Sequence, residues 1–223
     1  MRSTDDVPLP PSVNDRPVRP QLRGVSHLVA FFVAVVAGPV LVVASTSTAA
    51  RVSTAVYAVA LAALFGFSAL LHRGHWTPAV EPWMRRLDHS TIFVFIAGTY
   101  TPVVALSLGS DATGVLVAAW VGASLGVVVT LVWIDAPRWV TTACYLGVGW
   151  LALAVLPQLY DSLGTVRFVL LAGGGLLFST GAVVYARQRP DPVPSVFGYH
   201  EVFHALVIAA VALHFGLITS LAR

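Results

Sequence analysis

The chain has 223 residues, of which 57% are hydrophobic and 10% charged, with a formal net charge of +3. Soluble domains carry about 25% charged residues, so this composition excludes a water-coated globule, and its apolar content excludes disorder for most of the chain. A single cysteine, Cys144, excludes a disulfide scaffold and a Cys-rich zinc module. All 13 basic residues are arginines, clustered outside the apolar runs, and no basic face for nucleic acid is visible.

Residues 1–23 hold five prolines and four arginines and read as a flexible polar tail ahead of a single domain at 24–223. The first apolar run is too long for the h-region of a signal peptide and is read as a membrane helix. About 20 apolar residues span a bilayer. Counting runs between polar breaks predicts seven spans at 24–45, 53–72, 89–108, 112–134, 139–157, 165–186 and 199–221. The breaks are a polar loop at 73–87 with Pro78 and Pro82, a tight turn at 109–111, Asp135–Arg138 around Pro137, Gln158–Gly164 after Pro157, and 187–198 with three prolines. Gly122 and Gly126 form a small-xxx-small pair in the fourth run, a spacing that lets helix backbones approach closely. With seven spans, ten of the thirteen arginines fall on the face carrying the N-terminus, and the positive-inside rule makes that face cytoplasmic. The expected fold is therefore all-α, a polytopic seven-transmembrane helix bundle in the cell membrane, with membrane lipids as its natural partners and no nucleic acid.

Ionisable groups in or beside membrane spans are costly and point to function. His27 opens the first helix, His72 ends the second, Asp88 and His89 open the third, and His200 and His204 lie in the first turns of the seventh, all on one side. His200 and His204, at i and i+4, share a helix face. A third imidazole from His72 would complete an N3 set with an open position, the pattern of catalytic zinc. Ser68, one turn before His72, is a candidate hydrogen-bonding partner at the site, and Asp88 is a carboxylate at the same depth. A structural role is the alternative for each histidine. His27 and His75 are expected to be interfacial and solvated, His89 to be near the site or merely at a helix end, and His214, about 15 Å beyond His204, to be a hydrogen-bonded core residue. The run His200-Glu-Val-Phe-His204 also matches H-E-x-x-H, in which the glutamate serves a zinc protease as general base. An intramembrane protease needs a further ligand, commonly a later aspartate, and only His214 follows His204.

Three separated segments carry a resemblance: Ser68-Ala-Leu-Leu-His72; Leu87-Asp-His-Ser90 with Ile96-Ala-Gly-Thr-Tyr-Thr-Pro102; and Tyr199-His-Glu-Val-Phe-His204 with His214-Phe215. With Leu22-Arg-Gly-Val-Ser-His27 they resemble the hemolysin III family of the progestin and adipoQ receptor superfamily, in order and over nearly the whole chain from Leu22. The resemblance implies seven helices with a cytoplasmic N-terminus, zinc on His72, His200 and His204, and Asp88 close to the metal's water. In the adiponectin-receptor branch the position of Glu201 holds an amide, which argues against an essential base there. Receptor-branch members are linked to ceramide hydrolysis. The leading expectation is a zinc-dependent hydrolase of a lipid amide or ester serving membrane lipid homeostasis, with Asp88 and Ser68 as catalytic candidates. The alternatives are a non-enzymatic metal-binding sensor or receptor, an intramembrane metalloprotease, and a pore-forming hemolysin. The last would need a polar stripe along several helices, which the apolar runs lack. The sequence leaves the oligomeric state open.

Overall fold

The computed structural model describes residues 20–109 and 112–223. The expected flexible tail falls, over residues 1–19, outside the described residues, as do Ser110 and Asp111 of the expected tight turn. The described chain is all-helical: α1 (Val25–Ala44), α2 (Thr48–Arg73), α3 (Glu81–Ser107), α4 (Ala112–Val132), α5 (Arg138–Gly149), a 3-10 segment (Trp150–Val155), α6 (Leu156–Arg187) and α7 (Tyr199–Ala222).

Six stretches are long and apolar enough to cross a membrane, with α5, the 3-10 segment and α6 forming one 50-residue stretch, Arg138–Arg187, where the sequence suggested two. A straight helix of that length would run about 75 Å, more than twice the hydrocarbon thickness. The stretch is not straight. Gly164, at φ 68 and ψ 170, leaves helical geometry, in the left-handed region of φ that favours glycine. On either side of it the chain lies against itself. The Arg138 guanidinium stands 6.0 Å from the centre of the Tyr185 ring, and the Trp150 indole N–H donates to Ser179 Oγ at 3.0 Å. Two glycines, Gly147 and Gly149, weaken the end of α5. There the Tyr100 hydroxyl donates to the Gly149 carbonyl at 2.8 Å and accepts from the Ala152 N–H at 2.7 Å, holding the change to 3-10 geometry.

Two boundaries differ from the sequence reading. The third helix begins at Glu81, not near residue 89, because Pro82 sits in its first turn, where a missing N–H costs nothing. Asp88 and His89 therefore lie two turns inside a helix. The second begins at Thr48 because Ser47 caps it, its side chain accepting from the Ala50 N–H at 3.1 Å.

Neighbouring helices alternate in direction. A Cβ on Gly38 of α1 would stand 2.9 Å from Ala58 of α2, and one on Gly98 of α3 would stand 2.6 Å from Ala60 of α2. Gly126 of α4 lies under the Phe93 ring of α3, and Gly174 of α6 under the His214 imidazole of α7. The Arg167 guanidinium of α6 donates to Ser220 of α7. Helix α7 runs beside α1 in the same direction. At one end Arg23 pairs with Glu201, and at the other the Thr46 N–H donates to the Ala222 carbonyl at 3.0 Å. The outer surface is apolar: Val29, Phe32, Val36 and Val40 of α1 are exposed at helical spacing, as are Val117, Val121, Leu125 and Val128 of α4. Such an exterior suits hydrocarbon and not water.

The close α3–α4 approach generates a prediction. Gly126→Leu places a side chain where Phe93 stands, whereas at Gly114 no atom lies within 4 Å. Gly126→Leu is expected to lose about 1–3 kcal/mol of stability and Gly114→Leu close to none, as read by thermal unfolding in detergent.

Candidate metal centre

Four helix ends meet at one end of the bundle: the start of α1, the end of α2, the third turn of α3 and the start of α7. The sequence of each explains the approach. Gly24, at φ 76, precedes α1, and a Cβ there would stand 2.5 Å from His72 Cβ. Glycine thus lets α1 start directly against the last turn of α2. The chain before α1 is pinned across the α6–α7 connection, with the Gln21 N–H bonded to the Ser195 carbonyl and the Leu22 N–H to the Val196 carbonyl. At the start of α7, Glu201 is 2% exposed and has both oxygens engaged. Oε1 accepts from Arg23 Nε at 2.6 Å, and Oε2 accepts from the Gly198 N–H at 2.9 Å, closing the first turn.

That anchoring sets the histidines. His72 and His200 face each other Nε2 to Nε2 at 2.9 Å. The rings of His200 and His204 lie 4.5 Å apart, and those of His72 and His204 5.2 Å apart. One ring nitrogen from each of the three lies within 4.8 Å of the others. Around zinc, nitrogens at ~2.0–2.1 Å in tetrahedral array stand roughly 3.3 Å apart, which is compatible with a 2.9 Å pair and a cluster contained within 4.8 Å. Two nitrogens meeting head-on can share at most one proton between them. Converging lone pairs from three imidazoles are the donor set that a divalent borderline metal takes, so the residues present fit such an ion.

The other site candidates also converge, with one reassignment. The Ser68 hydroxyl lies 2.8 Å from His27 Nδ1 and is the side-chain hydrogen-bond partner of Asp88. A carboxylate can only accept, so Ser68 donates to Asp88 and accepts the His27 Nδ1–H. Ser68 therefore braces the carboxylate, where the sequence reading placed it beside His72. His27 is buried at 3% exposure and stacks on His204 with ring centres 3.6 Å apart and planes 10° apart. The expectation that it is interfacial and solvated is overturned, because the tight packing of α1 on α2 carries its first turn inside the bundle. His75 is exposed, as expected. His89 lines the cavity described next and its carbonyl accepts from the Tyr145 hydroxyl at 3.2 Å. His214, as expected, is a hydrogen-bonded core residue, its Nε2 3.1 Å from the Leu171 carbonyl.

A cavity of about 210 Å3 opens from this cluster into the bundle. His27, Ser68, Asp88, His200 and His204 line its polar end, and its walls beyond are mostly apolar, with Thr99, Thr142, Ser179 and His214 among them, reaching Val104 on α3 and Val207 on α7. Asp88 and Val104 are separated by about 24 Å of helix rise. The arrangement puts a cation-binding nitrogen cluster and a braced carboxylate at the head of a long greasy channel.

The comparisons agree with this architecture. The family model described as haemolysin-III related matches residues 16–215. The chain is 34% identical to hemolysin-3 of Bacillus cereus over 170 residues, covering 76% of this chain and 74% of that protein. It is 32% identical to the hemolysin-3 homolog of Bacillus subtilis over 165 residues, covering 74% of each. It is also 26% identical to the human monocyte to macrophage differentiation factor over 170 residues, covering 74% of this chain and 68% of that one. A match over almost the whole length, carried by a helical bundle with an apolar exterior, makes this chain a membrane protein of the hemolysin III family.

Proposed function

We propose that this protein is a zinc-dependent hydrolase of a lipid amide or ester, acting in membrane lipid homeostasis. The observation that carries the reading is the juxtaposition of three imidazole nitrogens with a braced carboxylate at the mouth of an apolar channel. His72, His200 and His204 hold the ion. Bound there, it supplies Lewis acidity that polarises a carbonyl and makes water more acidic. Asp88 takes the proton from the attacking water at its carboxylate oxygen and returns it to the leaving amine or alcohol. Ser68 and, behind it, His27 fix the direction of that carboxylate. The apolar walls hold the acyl chain and exclude bulk water, which strengthens every electrostatic contact at the head. Ceramide-like amides fit this description, in keeping with the ceramide hydrolysis linked to the receptor branch of the superfamily to which the hemolysin III family belongs.

Seven crossings with the N-terminus in the cytoplasm remain the topology we favour. The 50-residue stretch doubles back at Gly164, and α7 begins at the same end of the bundle as α1 and α3. An even number of crossings must then separate α3 from α7, which holds only if the doubled stretch crosses twice. The site then lies at the inner leaflet, where a lipid headgroup stays at the interface while its tail enters the bundle. A cysteine-reactive, membrane-impermeant label applied to intact cells is expected to reach a cysteine appended after Arg223 and not one placed before residue 20. The reverse pattern overturns the orientation.

The protease reading is disfavoured by Glu201, whose two oxygens are occupied by Arg23 and the Gly198 N–H. Glu201→Gln is expected to keep its metal and lipid turnover while losing about 1.5–3 kcal/mol of stability, the scale of a charged hydrogen bond.

Metal analysis of purified protein tests the ligand set. One zinc per chain is expected, lost in His72→Ala and His204→Ala and retained in Asp88→Asn. Fatty acid release from a panel of ceramides and phospholipids is expected from the wild type and to fall at least about 100-fold in Asp88→Asn, the low end of general acid–base contributions. Full zinc with no released fatty acid from any lipid would support a metal-binding sensor instead.

A further inference from the structure

Two tyrosines line the head of the channel on helices that the proposed chemistry does not use, Tyr145 on α5 and Tyr185 on α6. The Tyr145 hydroxyl is engaged, donating to the His89 carbonyl at 3.2 Å. The Tyr185 hydroxyl has no hydrogen-bond partner among the described residues, and it is not sealed away without one, as the Thr142 hydroxyl is. It is a donor open to whatever enters. The ring that carries it is held beside the histidine cluster, its centre 5.4 Å from that of Phe203 and 6.0 Å from that of His200.

Two guanidinium groups converge on this tyrosine. Arg138, the first residue of α5, is exposed and stands 6.0 Å from the centre of the Tyr185 ring. Among the described residues no carboxylate lies within ion-pair distance of it. Arg85 lies one turn before His89 on α3, on the face of a residue that lines the channel, and its charge acts on both His89 and Tyr185. Its acidic partner Asp135 stands 3.6 Å away and is 81% exposed. Such a pair contributes little in water and is readily exchanged. Trp83, Trp133 and Trp139 are exposed at the same end, the aromatic belt that marks the headgroup level of a bilayer.

We propose that Tyr185, Arg85 and Arg138 form a site at the channel mouth for the phosphate of a lipid headgroup. The two guanidinium forks and the hydroxyl all donate, and a phosphate ester offers only acceptors. Asp88, a carboxylate farther in, repels the anion and keeps it at the mouth, while the uncharged acyl part passes on into the channel. That the occupant is also hydrolysed rests on the reading above; the preference for phosphate rests on the tyrosine and the two arginines. The substrate class assigned to this chain is thus an acyl lipid, amide or ester, whose headgroup carries phosphate.

Binding, not turnover, tests this. The full-length protein in nonionic detergent is titrated calorimetrically with dioctanoyl phosphatidate, dioctanoylglycerol and glycerol phosphate. Phosphatidate is expected to bind at least about tenfold more tightly than dioctanoylglycerol, the worth of one charge-assisted hydrogen bond, with an advantage that shrinks as salt is raised. Arg85→Gln and Arg138→Gln are each expected to reduce that advantage about three- to fivefold, the scale of an exposed charge pair, and Tyr185→Phe to reduce it while dioctanoylglycerol affinity is kept. Arg86→Gln removes the same charge from the next position, where the guanidinium instead stands over Trp83 at 5.1 Å and donates to the Leu131 carbonyl, and is expected to keep the advantage. All four substitutions lie on side chains that are exposed or at the mouth, and equal unfolding temperatures confirm that each variant is folded. Equal affinities of the wild type for phosphatidate and dioctanoylglycerol overturn the proposal. So does an equal loss in Arg86→Gln, which would make the preference a general effect of positive charge, or an advantage that survives Arg85→Gln and Arg138→Gln together and disappears in His204→Ala, which would place the phosphate on the metal. Glycerol phosphate binding as tightly as phosphatidate would make a free phosphate ester the ligand and overturn the lipid assignment. A phosphate preference without hydrolysis of any lipid leaves this inference standing and removes the hydrolase. Hydrolysis without the preference does the converse.

Discussion

A membrane bundle that buries imidazoles and carboxylates has to satisfy them from within, because hydrocarbon offers no partners. That constraint organises this molecule. Its buried imidazoles and carboxylates, His214 apart, are gathered at one end, where several contacts pin them: Arg23 holds Glu201, Glu201 holds the first turn of α7, and Ser68 stands between His27 and Asp88. The helices come close enough for these contacts because small residues stand at the crossings. Gly24 admits α1 against His72, and Gly98 admits α3 against Ala60. Replacing either hydrogen by a methyl group would push a helix away, and the polar contacts that depend on its position would lengthen together.

The polar chain also explains why the site has two kinds of members. His72, His200 and His204 face one another and define where a cation fits. His27 takes no part in that convergence, yet it lies flat on His204 and hydrogen-bonds toward Asp88 through Ser68. It ties the ring of a metal-ligand candidate to the carboxylate that would handle the proton. A ring held by stacking on one face and by its helix on the other has few rotamers left, and preorganisation of this sort is what a metal site demands of its surroundings.

Much of this was legible in the sequence, for identifiable reasons. Apolar runs as long as a bilayer is thick have few alternative structures, so the helices and most of their ends could be placed. The i, i+4 spacing of His200 and His204 fixes a shared face. What escaped was information held between helices. His27 sits at the edge of an apolar run, where a solvated histidine is ordinary; only the packing of α1 on α2 shows it to be buried. The start of α3 was read too late because Pro82 looked like a loop residue, whereas the first turn of a helix accepts proline. The 50-residue stretch from Arg138 to Arg187 is continuous by length and composition, yet its reversal falls at Gly164, the last residue of the polar break read at Gln158–Gly164.

The fate of H-E-x-x-H shows how far spacing can mislead. In the protease pattern the glutamate has to stand free beside the metal. Here the same spacing places Glu201 one residue beyond His200, about 100° around the helix, where it meets Arg23 and the Gly198 N–H. An acid whose two oxygens are engaged as an anchor has no lone pair directed at a substrate, and moving it to serve as base would expose the first turn of α7 and leave Arg23 without its carboxylate. The proton-handling role then falls to Asp88, which comes from another helix, lines the channel and is held by a hydroxyl. The motif supplies the two histidines and the pin that orients them, while the acid of the chemistry has to be sought on α3.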